Sequence, residues 1–197
     1  MSANRQSEKA WRGWFEIMRQ VVSLLHGGDL GKALSRLDGF LSQTADPELR
    51  SDALGMRAEV NRRLGSIERA IDDLLVARSL TGPDYRRYVH ELSLGALFES
   101  QNLQEQATSW YRAALNTCLL DKGTSGGTAL KRLLDLSPPT SLSPDDIDLC
   151  RKVVEHSWRV LRLPGDPGLL DLASAVSIIG EAQGRLVRPR NENPHGG

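Results

Sequence analysis

Three stretches of the chain superimpose at a spacing of 37 residues without a gap, and this period constrains the fold more than any other feature. Ala33, Ala70 and Ala107 share one register, and Leu37, Leu74 and Tyr111 a second. Phe40, Ala77 and Ala114 share a third, and Val21, Ala58 and Gly95 a fourth. A fixed period of this length marks a repeat architecture, in which one unit cannot bury its own apolar face and must stack on its neighbours. Within each copy the apolar positions recur at i, i+4 and i+7, a single helical face. No segment sustains the alternation of a strand. The expected fold class is all-α, a solenoid of helical hairpins. The alanine of each second helix is expected to face the small residue of the first, Ala58 or Gly95, so that the hairpin closes tightly.

Turn residues fall where such hairpins need them. His26-Gly27-Gly28-Asp29 and Leu64-Gly65-Ser66 place glycine where a left-handed C-terminal residue is wanted, and Asp29 and Ser66 are expected to cap the next helix. Gln101-Asn102-Leu103 is a third copy, with asparagine as the left-handed residue.

These residues resemble the tetratricopeptide repeat family. The third copy carries the likeness best, with Leu94, Gly95, Phe98, Ala107, Tyr111 and Ala114 in the family's order. The second copy, through Ala58, Gly65, Ala70, Leu74 and Ala77, keeps its second helix but sets Arg57 and Asn61 where the family has leucine and an aromatic. The first keeps Val21, Leu24, Gly28, Ala33 and Leu37, with bulky Phe40 where alanine is usual. The family period is about 34 residues, so the extra residues are assigned to turns at Asp46-Pro47 and Gly82-Pro83-Asp84. The resemblance implies an N-terminal helix and three TPR-like repeats over 1–120, at about 14–47, 51–83 and 88–120.

Beyond Leu120 the texture changes. Residues 121–142 read as a linker with a short helix at Thr128 to Leu136, and its prolines forbid a longer one. Ser143-Pro144-Asp145-Asp146 opens a helix in the expected way, with a capping serine, proline in the first turn and acids at the dipole's positive end. The span 143–186 is expected to form a C-terminal helical hairpin that caps the stack or fills its groove, and 187–197 a disordered tail.

Catalysis finds little to work with. His26, His90, His156 and His195 are scattered without carboxylate or cysteine partners at helical spacing. Cys118 and Cys150 lack metal-ligand spacing and read as reduced, buried thiols. Asp72-Asp73 and Asp145-Asp146 diverge by about 100° on a helix and suit solvated faces and N-terminal turns. Gly123 to Thr128 lacks the strand and the Gly-Lys-Ser/Thr ending of a phosphate loop. We therefore expect no enzyme, no cofactor and no metal. Twenty-five basic and 25 acidic residues give zero net charge, which argues against binding many phosphates, and the cluster Arg57, Arg62, Arg63 and Arg69 is either neutralised by the acids close by or a place for an acidic peptide. No run is long and apolar enough for a membrane span. A cytoplasmic protein without nucleic-acid or membrane partners is expected.

The resemblance also implies a concave surface lined by the first helix of each repeat. The inward positions, carried over copy by copy, are Phe15, Met18, Val22 and Leu25; Asp52, Gly55, Glu59 and Arg62; and Val89, Leu92, Ala96 and Glu99. Family members that clamp a chaperone's C-terminal carboxylate use lysine, asparagine and arginine there, whereas this chain has Met18, Val22, Met56, Val89 and Ser93. Such a groove suits an apolar or amphipathic segment of a partner. The chain's own N-terminal extension, with Trp11 and Trp14, is an equal claimant. Two functions follow: a protein-interaction module (adaptor, chaperone, regulator or immunity-type inhibitor), or a self-associating subunit such as a homodimer.

Overall fold

The computed structural model describes residues 3–137, 141–160 and 179–180. Among these, all regular structure is helical: α1 (Ala3–His26), α2 (Leu30–Gln43), α3 (Pro47–Arg63), α4 (Ile67–Ser79), α5 (Tyr85–Ser100), α6 (Gln104–Leu120), α7 (Gly127–Leu136) and α8 (Pro144–Val160). The pairs α1/α2, α3/α4 and α5/α6 are antiparallel hairpins, consecutive hairpins stack through α2 on α3 and α4 on α5, and α7 and α8 pack on α6.

The three hairpin turns are copies of one another at the sequence period. Gly28, Gly65 and Asn102 have φ of 77°, 75° and 59°. Around each, two backbone bonds close the helix end. Asp29, Ser66 and Leu103 donate five residues back to Leu24, Asn61 and Phe98 at 2.8–3.0 Å, while Gly28, Gly65 and Asn102 donate three residues back at 2.9–3.4 Å. This is the Schellman arrangement, which satisfies carbonyls the helix would otherwise leave open. The side chains of Asp29 and Ser66 do not cap the next helix. Their ψ of 56° and 67° lies outside the extended range a capping side chain needs. The Asp29 carboxylate instead pairs with Lys32 at 2.9 Å.

Connections between hairpins use a different device. Asp46 accepts from the backbone N–H of Glu48 and Leu49 at 3.0 and 3.1 Å, with Pro47 opening α3. Asp84 accepts from Arg87 N at 3.1 Å at the start of α5. Arg50 reaches back to the Leu41 and Thr44 carbonyls, tying the end of α2 to α3.

The periodic positions form the core. Val21, Ala33, Leu37, Ala58, Ala70, Leu74, Ala107 and Tyr111 are buried, as are Ala77 and Ala114. Phe40, in the register of those two alanines, fits because it lies at the open edge of the stack, 4.9 Å from the Trp14 ring. In the third hairpin the expectation of small against small gives way: Gly95 lies under the ring of Tyr111 rather than facing another small side chain.

The departures in the second copy are explained by a polar network. Arg57 donates to both carboxylate oxygens of Asp73 at 3.0 and 2.6 Å and to Asp38 at 2.7 Å. Asn61 donates to Asp73 at 3.0 Å. Asp72 is exposed, but Asp73 is buried, so the acidic pair divides between solvent and core. Asp145-Asp146 divides in the same way. Asp146 is buried, holds Arg112 of α6 at 2.6 and 3.1 Å, and closes a capping box with Ser143, accepting at 2.8 Å from its hydroxyl, which takes the Asp146 N–H at 3.1 Å. Glu91, 1% exposed, accepts from Arg78 and Arg87 at 2.7 and 3.2 Å and from Thr117 at 2.6 Å, joining α4, α5 and α6.

Where the sequence reads as a linker, Thr124, Gly126 and Gly127 are buried, and α7 contributes Ala129, Leu130, Leu133 and Leu134 to a core shared with α6 and α8. Gly126 N donates to Ser157 Oγ at 3.1 Å, and His156 Nε2 donates to the Thr124 carbonyl at 3.1 Å. A Cβ on Gly126 would stand 2.5 Å from Val153 Cγ1. The glycine-rich stretch is thus pinned beneath α8. Ile179 is buried in the same core, while the rest of the expected final helix and the tail lies outside the described residues. Cys118 and Cys150 are free and buried, and burial pushes both thiols up to about 12.

Candidate functional site

The first helices α1, α3 and α5 share one face of the stack, and a cavity of about 400 Å³ opens there. Its apolar walls are Trp14, Met18, Met56, Leu74, Tyr85 and Val89; its polar ones are Asp52, Glu59, Arg86, His90 and Ser93, and Gly55 forms part of the floor. A narrower extension of about 160 Å³ runs on past Glu59, Arg62, Ser93 and Ala96.

Met18, Asp52, Glu59 and Val89 meet in the main cavity, and Arg62 and Ala96 line its extension. With Gly55 on the floor, the other five expected groove residues lie elsewhere, Glu99 accepting the hydrogen bond of the Tyr111 hydroxyl. Phe15 is 55% exposed and pairs with Trp11 at 6.1 Å, and Val22 is 40% exposed. Leu25 packs into the N-terminal core and Leu92 against the C-terminal one.

Charge is distributed unevenly along the cavity. At one end Arg86 faces three carboxylates: Asp52 at 3.0 Å, Glu48 at 3.3 Å and Asp84 at 3.8 Å, and its guanidinium also lies 5.6 Å over the Trp11 ring. Burial raises the Asp52 carboxyl above its ordinary value, opposed by the Arg86 charge and its hydrogen bond. At the other end Glu59 is held by Arg62 and Arg63, both at 2.7 Å, and the Arg62 hydrogen bond leads in lowering its carboxyl.

His90 sits between these ends. Ser51 Oγ donates its one proton to the Ala77 carbonyl at 3.1 Å, so the 2.8 Å contact with His90 must be a donation from Nε2. Nδ1 is left as an acceptor, buried and without a partner among the described residues. Burial lowers this imidazole to about 4, against the nearby Asp84 and Glu91 charges that favour its protonation, so the ring is neutral at pH 7. The ring needs Gly55: a Cβ there would stand 2.9 Å from its Cε1.

Among the described residues, no group of three or more His, Cys, Asp or Glu side chains is arranged to hold a metal ion, and no helix is long and apolar enough to cross a membrane.

No family model matches the sequence, and no curated protein does. Solved structures do. BtubC (BKLC) from P. vanneervenii superimposes with a TM-score of 0.60 at 17% identity, over 93% of this chain and 87% of that one. The nearly identical TPR-like repeats of a protein described as a kinesin light chain, from Podosopora anserina, superimpose with a TM-score of 0.57 at 15% identity, over 87% of this chain and 90% of that one. The fold is that of TPR-like helical repeat proteins.

In this TPR-like frame the main-cavity residues missing from the expected groove are Trp14, Leu74, Tyr85, Arg86 and His90. On α5 the stripe expected through Val89, Leu92 and Ala96 keeps Val89 and Ala96 but runs through Tyr85/Arg86, Val89/His90 and Ser93 instead of Leu92, turned by less than the roughly 100° of one residue. The spacing of Arg86, His90 and Ser93 at i, i+4 and i+7 held the signal, but polar residues carry no weight in an apolar-periodicity reading.

Proposed function

We propose that this chain is a non-enzymatic protein-interaction module of the cytoplasm that holds a partner segment on the face shared by α1, α3 and α5. The observation that carries this reading is the cavity itself, about 400 Å³ with Met18, Met56 and Val89 in its wall. Its volume lies in the range of ligand sites, and methionine adapts to irregular apolar shapes. The TPR-like fold supports the reading, since such repeats generally serve as scaffolds rather than catalysts. Adaptor, chaperone, regulator and immunity-type inhibitor are the roles that fit.

The test is affinity capture from the source cell with wild type and with Met56→Glu, which puts a charge into the cavity. A partner retained by wild type and lost by the variant supports the proposal, whereas equal capture by both moves binding to another surface. A second reading, self-association, draws on exposed Phe15 and Val22 on α1. Light scattering over a wide concentration range separates the two, because a chain that stays monomeric is no homodimer.

A further inference from the structure

Around Asp52 three carboxylates, its own and those of Glu48 and Asp84, face one guanidinium, with the Trp14 side chain as a further hydrogen-bond partner of Asp52. Asp84 also caps α5, but Asp52 is half-buried in the cavity and Glu48 exposed beside it, so Arg86 leaves carboxylate charge unbalanced. His90, only 5% exposed, adds an Nδ1 with no donor. At the rim the Tyr85 ring is 64% exposed, a face on which a cation can rest. The same cavity has an apolar part of its lining in Met18, Met56 and Val89.

We infer that the cavity takes a partner segment carrying an apolar side chain with a lysine or arginine beside it, the apolar group among Met18, Met56 and Val89 and the cation on Asp52 and Glu48. The inference rests on the reading of this face as the partner site. Charge complementarity selects it: an acidic segment would set carboxylate against carboxylate at this end. Arg62 and Arg63 share the one carboxylate of Glu59 and leave a positive excess at the opposite end of the cavity, so the preference for a cation belongs to the Asp52 end.

The experiment is to pan the full chain against a phage-displayed library of random peptides of about 12 residues, three helical turns, and to measure recovered sequences as synthetic peptides. Peptides pairing an apolar residue with Lys or Arg are expected, weakened about tenfold by Glu48→Gln with Asp52→Asn and weakened by rising salt. Glu48→Gln alone, at an exposed position, keeps the test available if the Asp52 change disturbs folding; it should weaken binding in the same direction. Recovery of acidic or uncharged peptides that Met56→Glu releases but the carboxylate variants do not would overturn the inference and leave the groove reading standing. Recovery of nothing sensitive to Met56→Glu would overturn both.

Discussion

The ring of Tyr111 occupies the space that a side chain at Gly95 would need. A Cβ built there would stand 2.4 Å from Tyr111 Cε1 and 2.6 Å from Cδ1, closer than any packed interior allows. The ring is fully buried, and its hydroxyl donates to Glu99 at 2.5 Å, so it has nowhere to swing. Gly95→Ala should destabilise the chain by about 2–3 kcal/mol, seen as a lower midpoint in urea denaturation. Gly13 and Gly39 are the controls, because an added Cβ meets nothing at either. Alanine there should be neutral or stabilising by about 0.5–1 kcal/mol. A similar outcome at all three positions would show that the Tyr111 contact is not what matters.

The left-handed turns make a second prediction. Gly65→Ala forces a Cβ into a φ of 75° and should cost about 1 kcal/mol. Asn102→Gly, at φ 59°, should gain a few tenths. Thermal melts that moved in the opposite order would contradict the turn assignment.

Asp73 accepts three hydrogen bonds, two from Arg57 and one from Asn61. Asp73→Ala strands both and should cost about 2–3 kcal/mol, below the roughly 3–5 kcal/mol of a fully buried pair because Arg57 keeps Asp38. Exchanging the network as a unit, Arg57→Leu with Asn61→Tyr and Asp73→Ala, should cost less than Asp73→Ala alone. A triple variant less stable than the single one would mean that the network itself is required.

How much of this was legible beforehand depended on the kind of signal. The period showed the hairpins, the left-handed residues and the buried registers, because small, apolar and turn residues each have one physical use at those points. Arg57 and Asn61 were visible only as exceptions, since their partner Asp73 comes from the next helix. Thr124 to Gly127 looked like a connector because glycine signals both freedom and close packing; here Gly126 lies against Val153 and Cys118. On α5 the sequence placed Val89 and Ala96 on the cavity but not Arg86 and His90, because an apolar-periodicity reading gives polar residues no weight.

His90 gives the pH prediction. Its folded value of about 4 lies below the ordinary 6.5, so between these values the unfolded chain binds a proton that the folded chain refuses. Stability contributed by the neutral ring is complete above pH 6.5 and is lost as pH falls toward 4, by on the order of 1–3 kcal/mol. Urea denaturation at pH 7 and pH 5 should show the loss, and His90→Gln should flatten that difference. An unchanged slope in the variant would assign the loss to other groups.

The turn residues at 28, 65 and 102 keep step with the core registers, while the lid formed by α7 and α8 reads only the third hairpin, through Arg112, Leu115 and Cys118. Each end of the stack is therefore specified locally. A 37-residue unit spliced between the second and third hairpins would keep the period and leave the packing of α7 and α8 untouched, but it would have to bring its own counterparts of Asp38, Asp52 and Glu91, because Arg57, Arg86 and Arg78 pair differently across the two junctions.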